Sequence, residues 1–508
     1  MQKCQDDTRS DVFKSIDTEL GNPNPCICWL SGLAGTGKSS IAYSLSDSLA
    51  QQGKLIATFF FSQKRVERSR MDGFFPSIAH QIAVQFSSAK TAIEQTLEID
   101  SSVLAKILRD QYKKLFVGPL LSLTAEERWT LPRVIVIDAV DECQDDWQVN
   151  QLILLLVDAL QDSRLPPLKF FLTSRPEGRI QAIFSSSTVS PLTRQLMLSD
   201  FKANEDIYRY FVRFFADNRH LISLPSDIPA AWPSDHELAA LVTKADGLFI
   251  YASTVTKFIL NGNPRHNLTM LLNEENSSVT YDDLDQLYTR IISPPNAKYG
   301  LKLTKVIVHL MTPVSVQDLR RLLPWEQGDI EVALKAFSSV FFVPNSSNEH
   351  VRIYHMSFRD FLVSSERSKG HSVKPSDCHA EIATFCLDYL VKNLRRDICR
   401  IGDPSKLNDE VEDLESRRCQ YINTTLRYCC RYWATHLSLT NISNQLQSSL
   451  NTFMGKSLLY WLETLSLLGE LGTAISSLQT ANAWYKVRAS GFRHCDILTH
   501  IATDGFLK

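Results

Sequence analysis

At 508 residues the chain exceeds what one hydrophobic core holds: domains run to about 100–200 residues, so about three or four folding units are expected. Hydrophobic residues make up 44% and charged residues 22%, a soluble globular composition that argues against wholesale disorder and against a membrane protein. With 54 basic against 56 acidic residues the formal net charge is -2, which removes any global electrostatic case for nucleic acid or an anionic membrane as partner. No apolar run reaches the roughly 18–20 residues of a bilayer span, and the N-terminus MQKCQDDTRS lacks a signal-peptide core, so no membrane span and a cytoplasmic localisation are expected. The eleven cysteines are odd in number and scattered, and Cys26 and Cys28 alternate along an apparent strand, so they read as reduced thiols in the core. The sequons beginning at Asn267 and Asn423 are expected to stay unmodified in that compartment.

From Cys26 to about Asp200 short apolar runs alternate with longer amphipathic stretches. That pattern predicts an α/β fold of the P-loop NTPase class, a parallel sheet with helices on both faces. The predicted strands are ICWL, KLIATFFF, RVIVID and LKFFLT, and ligands of such sheets bind at the carboxyl ends of the strands. After Ser199 the strand signal stops, and Ile207, Tyr210, Phe211, Phe214 and Phe215 fall on one helical stripe. A second helix follows from about His236 through ADGLFIYASTVTKFIL, and Gly262 and Pro264 break the chain after it. Between about Tyr281 and Ser364 short helical patterns precede FFVP and VRIYHM, separated by the polar turn NSSNEH, which suggests a winged-helix unit. Beyond Pro375 only helical periodicity remains, as in LRYCCRYWATHL, and no fixed-period repeat appears. The expected layout is a lead-in over 1–25, a nucleotide-binding domain over 26–200, a small helical domain over 201–265, a winged-helix-like domain over 280–365 and a helical C-terminal region over 375–508.

Residues 32–39 read GLAGTGKS, the G-x-x-x-x-G-K-[ST] spacing, between an apolar strand and a helical stretch from Ser40. Phosphates need close backbone approach, so Gly32, Gly35 and Gly37 leave room for N–H groups at the mouth of a helix, with Thr36 and Ser40 flanking the cradle. Lys38 brings mobile positive charge to the β and γ phosphates, and Ser39 offers a hydroxyl to Mg²⁺. A carboxylate at a second strand end must hold the metal's waters, and RVIVIDAVDEC provides Asp138. Asp141 and Glu142, three and four residues on, are candidates to orient or deprotonate an attacking water, with a solvated loop charge as the plain alternative. LKFFLTSRPE ends in Arg175, whose guanidinium is a candidate γ-phosphate contact or a loop cap.

GLAGTGKSSIA, VIVIDAVDEC and FFLTSRPE at these spacings resemble the NACHT domain of STAND signalling ATPases, in the branch common in fungi, and the N-terminal ATPase of nephrocystin-3. The run of apolar residues ending in Asp, a small residue, an apolar one and Asp-Glu is the most specific element. The resemblance extends to CQDDTRSDVFKSI, similar to a C-x-x-G-T-R lead-in but with Asp7 in place of Gly, then through DIYRYFVRFF and ADGLFIYASTV to IYHMSFRDFL, roughly residues 4–365. It implies an ATP/ADP-dependent switch, with GTP as the alternative nucleotide, that hydrolyses slowly, is closed with ADP and open or oligomeric with ATP, and is active in signal transduction and innate immunity. It also implies that His355, before the Ser-Phe helix, contacts the ADP β-phosphate; Ser357 and Asp360 read as an S-x-x-D cap that leaves His355 at a strand end. Where related proteins carry Gly-x-Pro to contact the base, this chain has Asp246, Gly247 and Leu248, so the base contact does not carry over to these positions.

Self-association or protein partners are expected through the helical C-terminal region. Two other classes stay open: a conventional ATP hydrolase or AAA+-like motor, for which Arg179 and Arg194 are the candidate fingers, and a winged-helix nucleic-acid-binding regulator. The second is disfavoured because the candidate recognition helix GDIEVALKAFSSV carries Lys335 as its one basic residue, where phosphate contacts need several.

Overall fold

The computed structural model describes residues 3–486 apart from 6, 7, 25, 63–70, 132, 144, 223–231, 274–281, 293–299, 324, 326, 327, 345, 347, 348, 369, 370, 404 and 405. Asp7 of the lead-in and the last stretch of the expected helical region, 487–508, lie outside the described residues. The chain divides into two compact units, Met1–Leu284 and Asp285–Lys508.

The first unit is built on a five-stranded sheet. Its strands are β1 (Cys26–Ser31), β2 (Leu55–Phe60), β3 (Val134–Asp138), β4 (Lys169–Ser174) and β5 (Thr193–Met197), in the order β2-β3-β4-β1-β5, and all neighbours run parallel. The inner strands are continuous apolar runs because both faces of the sheet are covered. Ile27 and Trp29 of β1, with Ile135, Ile137, Phe170 and Leu172, enter one core; Cys28 and Leu30, with Val134, Val136 and Phe171, enter the other. Helices α1 (Ser10–Gly21) and α2 (Lys38–Gln51) close the second face through Val12, Ile16, Ile41 and Leu45. Helices α3 (Phe74–Gln85), α4 (Ser87–Ile99), α5 (Asp146–Gln161) and α6 (Gly178–Phe184) close the first, where Phe184 stacks on Trp29 at 4.2 Å. The buried Lys169 at the start of β4 donates to the carbonyls of Leu20 and Asn22, fixing the end of α1 against the sheet. Four of the strands are those the apolar runs predict; β5 is an addition, an edge strand whose residues Thr193–Met197 are half-exposed or exposed and so carry no apolar signature.

Helices α7 (Asn204–Asp217), α8 (Asp235–Ala245), α9 (Phe249–Leu260) and α10 (Pro264–Leu272) complete the unit. Ile207, Phe211 and Phe215 of the predicted stripe are buried. The side chain of Asn267 donates to the carbonyls of Phe258, Ile259 and Asn261 and so caps the end of α9.

The unit boundary falls inside α11 (Asp282–Ile292). Then follow α12 (Gly300–His309), α13 (Val316–Leu322) and α14 (Asp329–Ala336), a hairpin of β6 (Phe341–Phe342) and β7 (Arg352–Ile353), and α15 (Met356–Val363). Helices α16 (Pro375–Asn393), α17 (Leu414–Tyr421), α18 (Thr424–Ser438), α19 (Asn444–Lys456), α20 (Leu458–Leu467) and α21 (Gly472–Lys486) follow, with α16 packed along α18 and α19. Trp433 and Trp461 meet edge to face at 5.7 Å in this helical core, both fully buried.

The same core holds a polar chain. Met311 N–H donates to the Tyr428 hydroxyl (3.0 Å), which bonds His436 Nε2 (2.8 Å), while His436 Nδ1 meets Nδ1 of His379 (2.9 Å). One neutral arrangement satisfies every member: Tyr428 gives its proton to Nε2, and His436 gives its Nδ1 proton to His379. Burial pushes the His379 imidazole down to about 4, helped by His309 and Arg359, and holds His436 well below the ordinary histidine range. The ten cysteines among the described residues are all free thiols.

Candidate functional site

The loop between β1 and α2 occupies the carboxyl end of the inner strand β1. Gly35 and Gly37 sit at φ 82 and 96°, a left-handed backbone that favours glycine. At Gly32 the limit is space, because a Cβ there would stand 2.9 Å from Thr36 Oγ1 and 3.1 Å from Leu198. Thr36 closes the turn through its hydroxyl to the Leu33 carbonyl (2.8 Å). Lys38 Nζ reaches back along the loop and donates to the carbonyls of Gly32 (2.6 Å) and Leu33 (2.8 Å). Burial lowers the Lys38 ammonium to about 8, with Asp141 the largest opposing influence. Ser39 and Ser40 lie half-buried in the first turn of α2, which begins at Lys38.

Asp138 ends β3 and is fully buried. Thr173 of β4 donates to its Oδ1 (2.6 Å) and accepts the Ala139 N–H (2.9 Å). The Ser39 hydroxyl stands close enough to the carboxyl to favour its charged form, while Oδ2 has no hydrogen-bond partner among the described residues. Burial pushes Asp138 up to about 6 against the pull of the Thr173 and Ser39 hydroxyls. A buried carboxylate left half-bonded costs several kcal/mol unless a cation meets it. No cluster of three or more His, Cys, Asp or Glu side chains among the described residues is placed to hold a metal by itself. Asp138 and Ser39 nevertheless suit Mg²⁺, which keeps most of its waters and takes one or two protein oxygens beside phosphate.

Ala139 turns the chain at φ 56, ψ 51°, a left-handed conformation that strains a residue with a Cβ, and delivers Asp141 and Glu142 in one helical turn, Val140–Glu142. Asp141 faces Arg175: its Oδ1 accepts the Arg175 N–H (3.0 Å) and its Oδ2 stands 3.3 Å from Nε. Arg179 donates to the Asp141 carbonyl (2.9 Å) and pairs with Asp146 and Glu177, while Arg194 lies on the exposed edge strand. The structure thus brings Lys38, Ser39, Asp138, Asp141 and Arg175 to neighbouring strand ends in one unit.

His355 belongs to the second unit and caps α15. Here the structure departs from the S-x-x-D expectation: the cap is His355 itself, whose Nδ1 accepts the Ser357 N–H (3.1 Å), and Ser357 is buried inside the helix against the Tyr288 hydroxyl (2.7 Å). A ring nitrogen that accepts from the backbone takes over the role the serine was expected to play, and it leaves the proton of the neutral ring on Nε2.

Sequence reasoning missed two residues. Thr173 sits inside an apolar strand run, where a threonine reads as ordinary strand composition. Arg9 is 3% exposed and donates to the Thr36 carbonyl of the loop (2.7 Å); in sequence it is the last residue of the C-x-x-G-T-R-like lead-in, a pattern that gives no hint of what the side chain touches.

A glycine loop opening a helix after the inner strand β1, with a buried aspartate at a strand end two positions away in the sheet, is the arrangement of a P-loop nucleotide-binding fold. Residues 2–175 match the family described as Nephrocystin 3, N-terminal. The chain is 24% identical over 498 residues to the vegetative incompatibility protein HET-E-1 of Podospora anserina, covering 89% of this chain and 34% of that protein, so it spans about a third of that relative's length. Among solved structures it is similar to a STAND protein with a tetratricopeptide repeat sensor from Pyrococcus horikoshii, at 13% identity and TM-score 0.39 over 94% of this chain and 64% of that one. It is also similar to the ORC1 protein of Aeropyrum pernix, solved with DNA, at 12% identity and TM-score 0.31 over 69% of this chain and 89% of that one. Neither superposition is close. No helix among the described residues is long and apolar enough to cross a membrane.

Proposed function

We propose that the chain binds ATP or ADP with Mg²⁺ at the glycine loop and uses slow hydrolysis as a signalling switch. The observation that carries this reading is the buried Asp138, whose Oδ2 lacks a partner among the described residues while its carboxyl faces the Ser39 hydroxyl beside Lys38. When bound, Mg²⁺ would neutralise charge on the phosphates. Gly32, Gly35, Thr36, Gly37 and Ser40 shape the cradle, Lys38 leaves its loop carbonyls for the β and γ phosphates, and Ser39 and Asp138 hold the metal. Glu142 orients the attacking water. Asp141 does different work, because it is engaged with Arg175 at both carboxyl oxygens and so aims that guanidinium, which reports the γ-phosphate.

A switch needs a nucleotide whose affinity differs between two states, since equal affinity shifts nothing. His355, which caps its helix through Nδ1, supplies that difference in this reading by contacting an ADP phosphate. Purified protein is expected to retain ADP and turn ATP over slowly. Fast basal turnover without retained nucleotide would reject the switch in favour of an ordinary hydrolase. His355→Leu is expected to release ADP faster and to shift the size-exclusion profile towards open or oligomeric species, with ATP binding kept; equal off-rates and profiles would remove His355 from the mechanism. Glu142→Gln is expected to keep binding and slow hydrolysis, and hydrolysis at the wild-type rate would strip that residue of its role.

A further inference from the structure

We infer that Arg9, in the segment before α1, is a positioning residue that sets the backbone of the phosphate loop and ties it to helix α9. The inference rests on reading the loop as a nucleotide site.

Arg9 is held in place from several sides. Cys4 N–H donates to Ser44 Oγ (2.9 Å) and Lys3 pairs with Asp47 (2.6 Å), so the lead-in is strapped along α2 before it reaches Arg9. The Arg9 backbone is left-handed at φ 61, ψ 22°, and its N–H donates to Asp206 Oδ2 (3.1 Å) in the first turn of α7. Its guanidinium lies over the ring of Phe249, 4.6 Å from the centroid, and donates through Nη2 to the Thr36 carbonyl (2.7 Å). The group is 3% exposed, and Nη1 has no hydrogen-bond partner among the described residues.

A loop that turns N–H groups towards phosphate turns carbonyls the other way, and those carbonyls need donors. Lys38 serves Gly32 and Leu33, and the helix serves Gly37 through Ile41 N–H. Gly35 and Thr36 are served from outside the loop and its helix: Ile250 N–H in the first turn of α9 donates to the Gly35 carbonyl (3.0 Å), and Arg9 donates to that of Thr36. Because a trans peptide points its C=O and N–H in opposite directions, the Arg9 bond fixes the direction of the Gly37 N–H as well. Gly37 at φ 96° has no side chain to resist a peptide flip, so the restraint has to come from a neighbour. Phe249 and Ile250 are adjacent in α9, so the two outside donors share one support and loosen together.

The test uses the full chain with a fluorescent ADP analogue as probe, stopped-flow dissociation, amide hydrogen exchange and thermal melting. Arg9→Met is expected to bind the probe but release it roughly tenfold faster, the size of one charge-assisted hydrogen bond. Arg9→Lys, which restores a single donor, is expected to recover part of that change. The Gly37 and Ile250 amides are expected to exchange faster in Arg9→Met than in wild type, with or without nucleotide. A role confined to stability would lower the melting temperature and leave both the dissociation rate and those two amides unchanged, which would overturn the inference. Should Arg9→Met fail to fold, Phe249→Leu is expected to move dissociation and exchange in the same direction by a smaller factor, and no movement there is equally decisive. Lys38→Ala with unchanged probe affinity would defeat the nucleotide reading instead, and the exchange of Gly37 and Ile250 would still judge Arg9.

Discussion

Each unit of this chain buries a cluster of titratable groups, and the two are finished differently. Around Asp138 the first unit keeps a carboxyl completely out of water with one oxygen unpartnered among the described residues. Around His379 and His436 the second unit threads Met311, Tyr428 and the two rings into a chain whose bonds are satisfied by neutral groups. The nearby His309 does leave Nε2 unpartnered among the described residues, but its Nδ1 bonds the Lys305 carbonyl (2.8 Å) and burial keeps the ring neutral. An unmet neutral acceptor costs about 1–3 kcal/mol, far less than an unmet carboxylate. In the reading proposed above the incomplete charge around Asp138 is completed by a metal, whereas the neutral chain in the second unit is architecture.

The contrast breaks at its strongest point if the loop lysine is dispensable. Lys38→Ala is expected to weaken nucleotide binding by about a hundredfold while the chain stays folded, since a donor to charged phosphate is worth about 1.5–3 kcal/mol; isothermal titration and a thermal melt read both. Asp138→Asn is expected to raise the stability of nucleotide-free protein by up to about 3 kcal/mol at neutral pH while abolishing the Mg²⁺ dependence of binding. The sign follows from linkage. A carboxyl raised to about 6 holds a proton in the folded state that the unfolded chain surrenders, so Asp138 takes stability away as pH rises from its ordinary value through 6. Denaturant melts of wild type and variant check it, and a destabilised variant would mean the carboxylate is already well served.

Acid acts on the histidines in the opposite direction. The unfolded chain binds protons near 6.5 that buried His379 refuses until about 4, so the pair's contribution is present above 6.5 and is lost as pH falls towards 4, by up to about 3 kcal/mol. His379→Gln is expected to flatten that slope in the second unit, followed by hydrogen exchange of α16 and α18; an unchanged slope would assign the acid sensitivity elsewhere. The smallest expected effect is that of Thr173→Val, which keeps the shape of β4 and removes the hydroxyl shared by Asp138 and Ala139. About 1–2 kcal/mol of stability and a several-fold loss of Mg²⁺-dependent affinity are expected, read by melting and by titration at fixed nucleotide.

Spacing and apolar continuity made much of the first unit legible. GLAGTGKS between a strand and a helix has the spacing of a phosphate loop, and strands buried on both faces announce themselves as unbroken apolar runs. What escaped depends on neighbours remote in sequence. β5 is an edge strand, and Thr193, Arg194 and Gln195 look like loop. Thr173 matters because β4 lies between β1 and β3, an order that no local pattern encodes. Arg9 meets Thr36 and Phe249 only after 27 and 240 residues of chain have folded around it. The cap of α15 was misread at short range, because a serine three residues before an aspartate imitates a cap that the histidine ring provides.

The corner at Ala139 limits how this site can be redesigned. Its left-handed backbone tolerates alanine under strain, welcomes glycine, and excludes valine or isoleucine, whose branched side chains meet the carbonyl of their own residue in that conformation. Asp138 stands on one side of that corner, and Asp141 and Glu142 follow on the other. A glycine there would erase the strain and with it the stiffness of the joint, so a designer who wanted to uncouple the residue facing Ser39 from the acids that follow would begin by removing one methyl group.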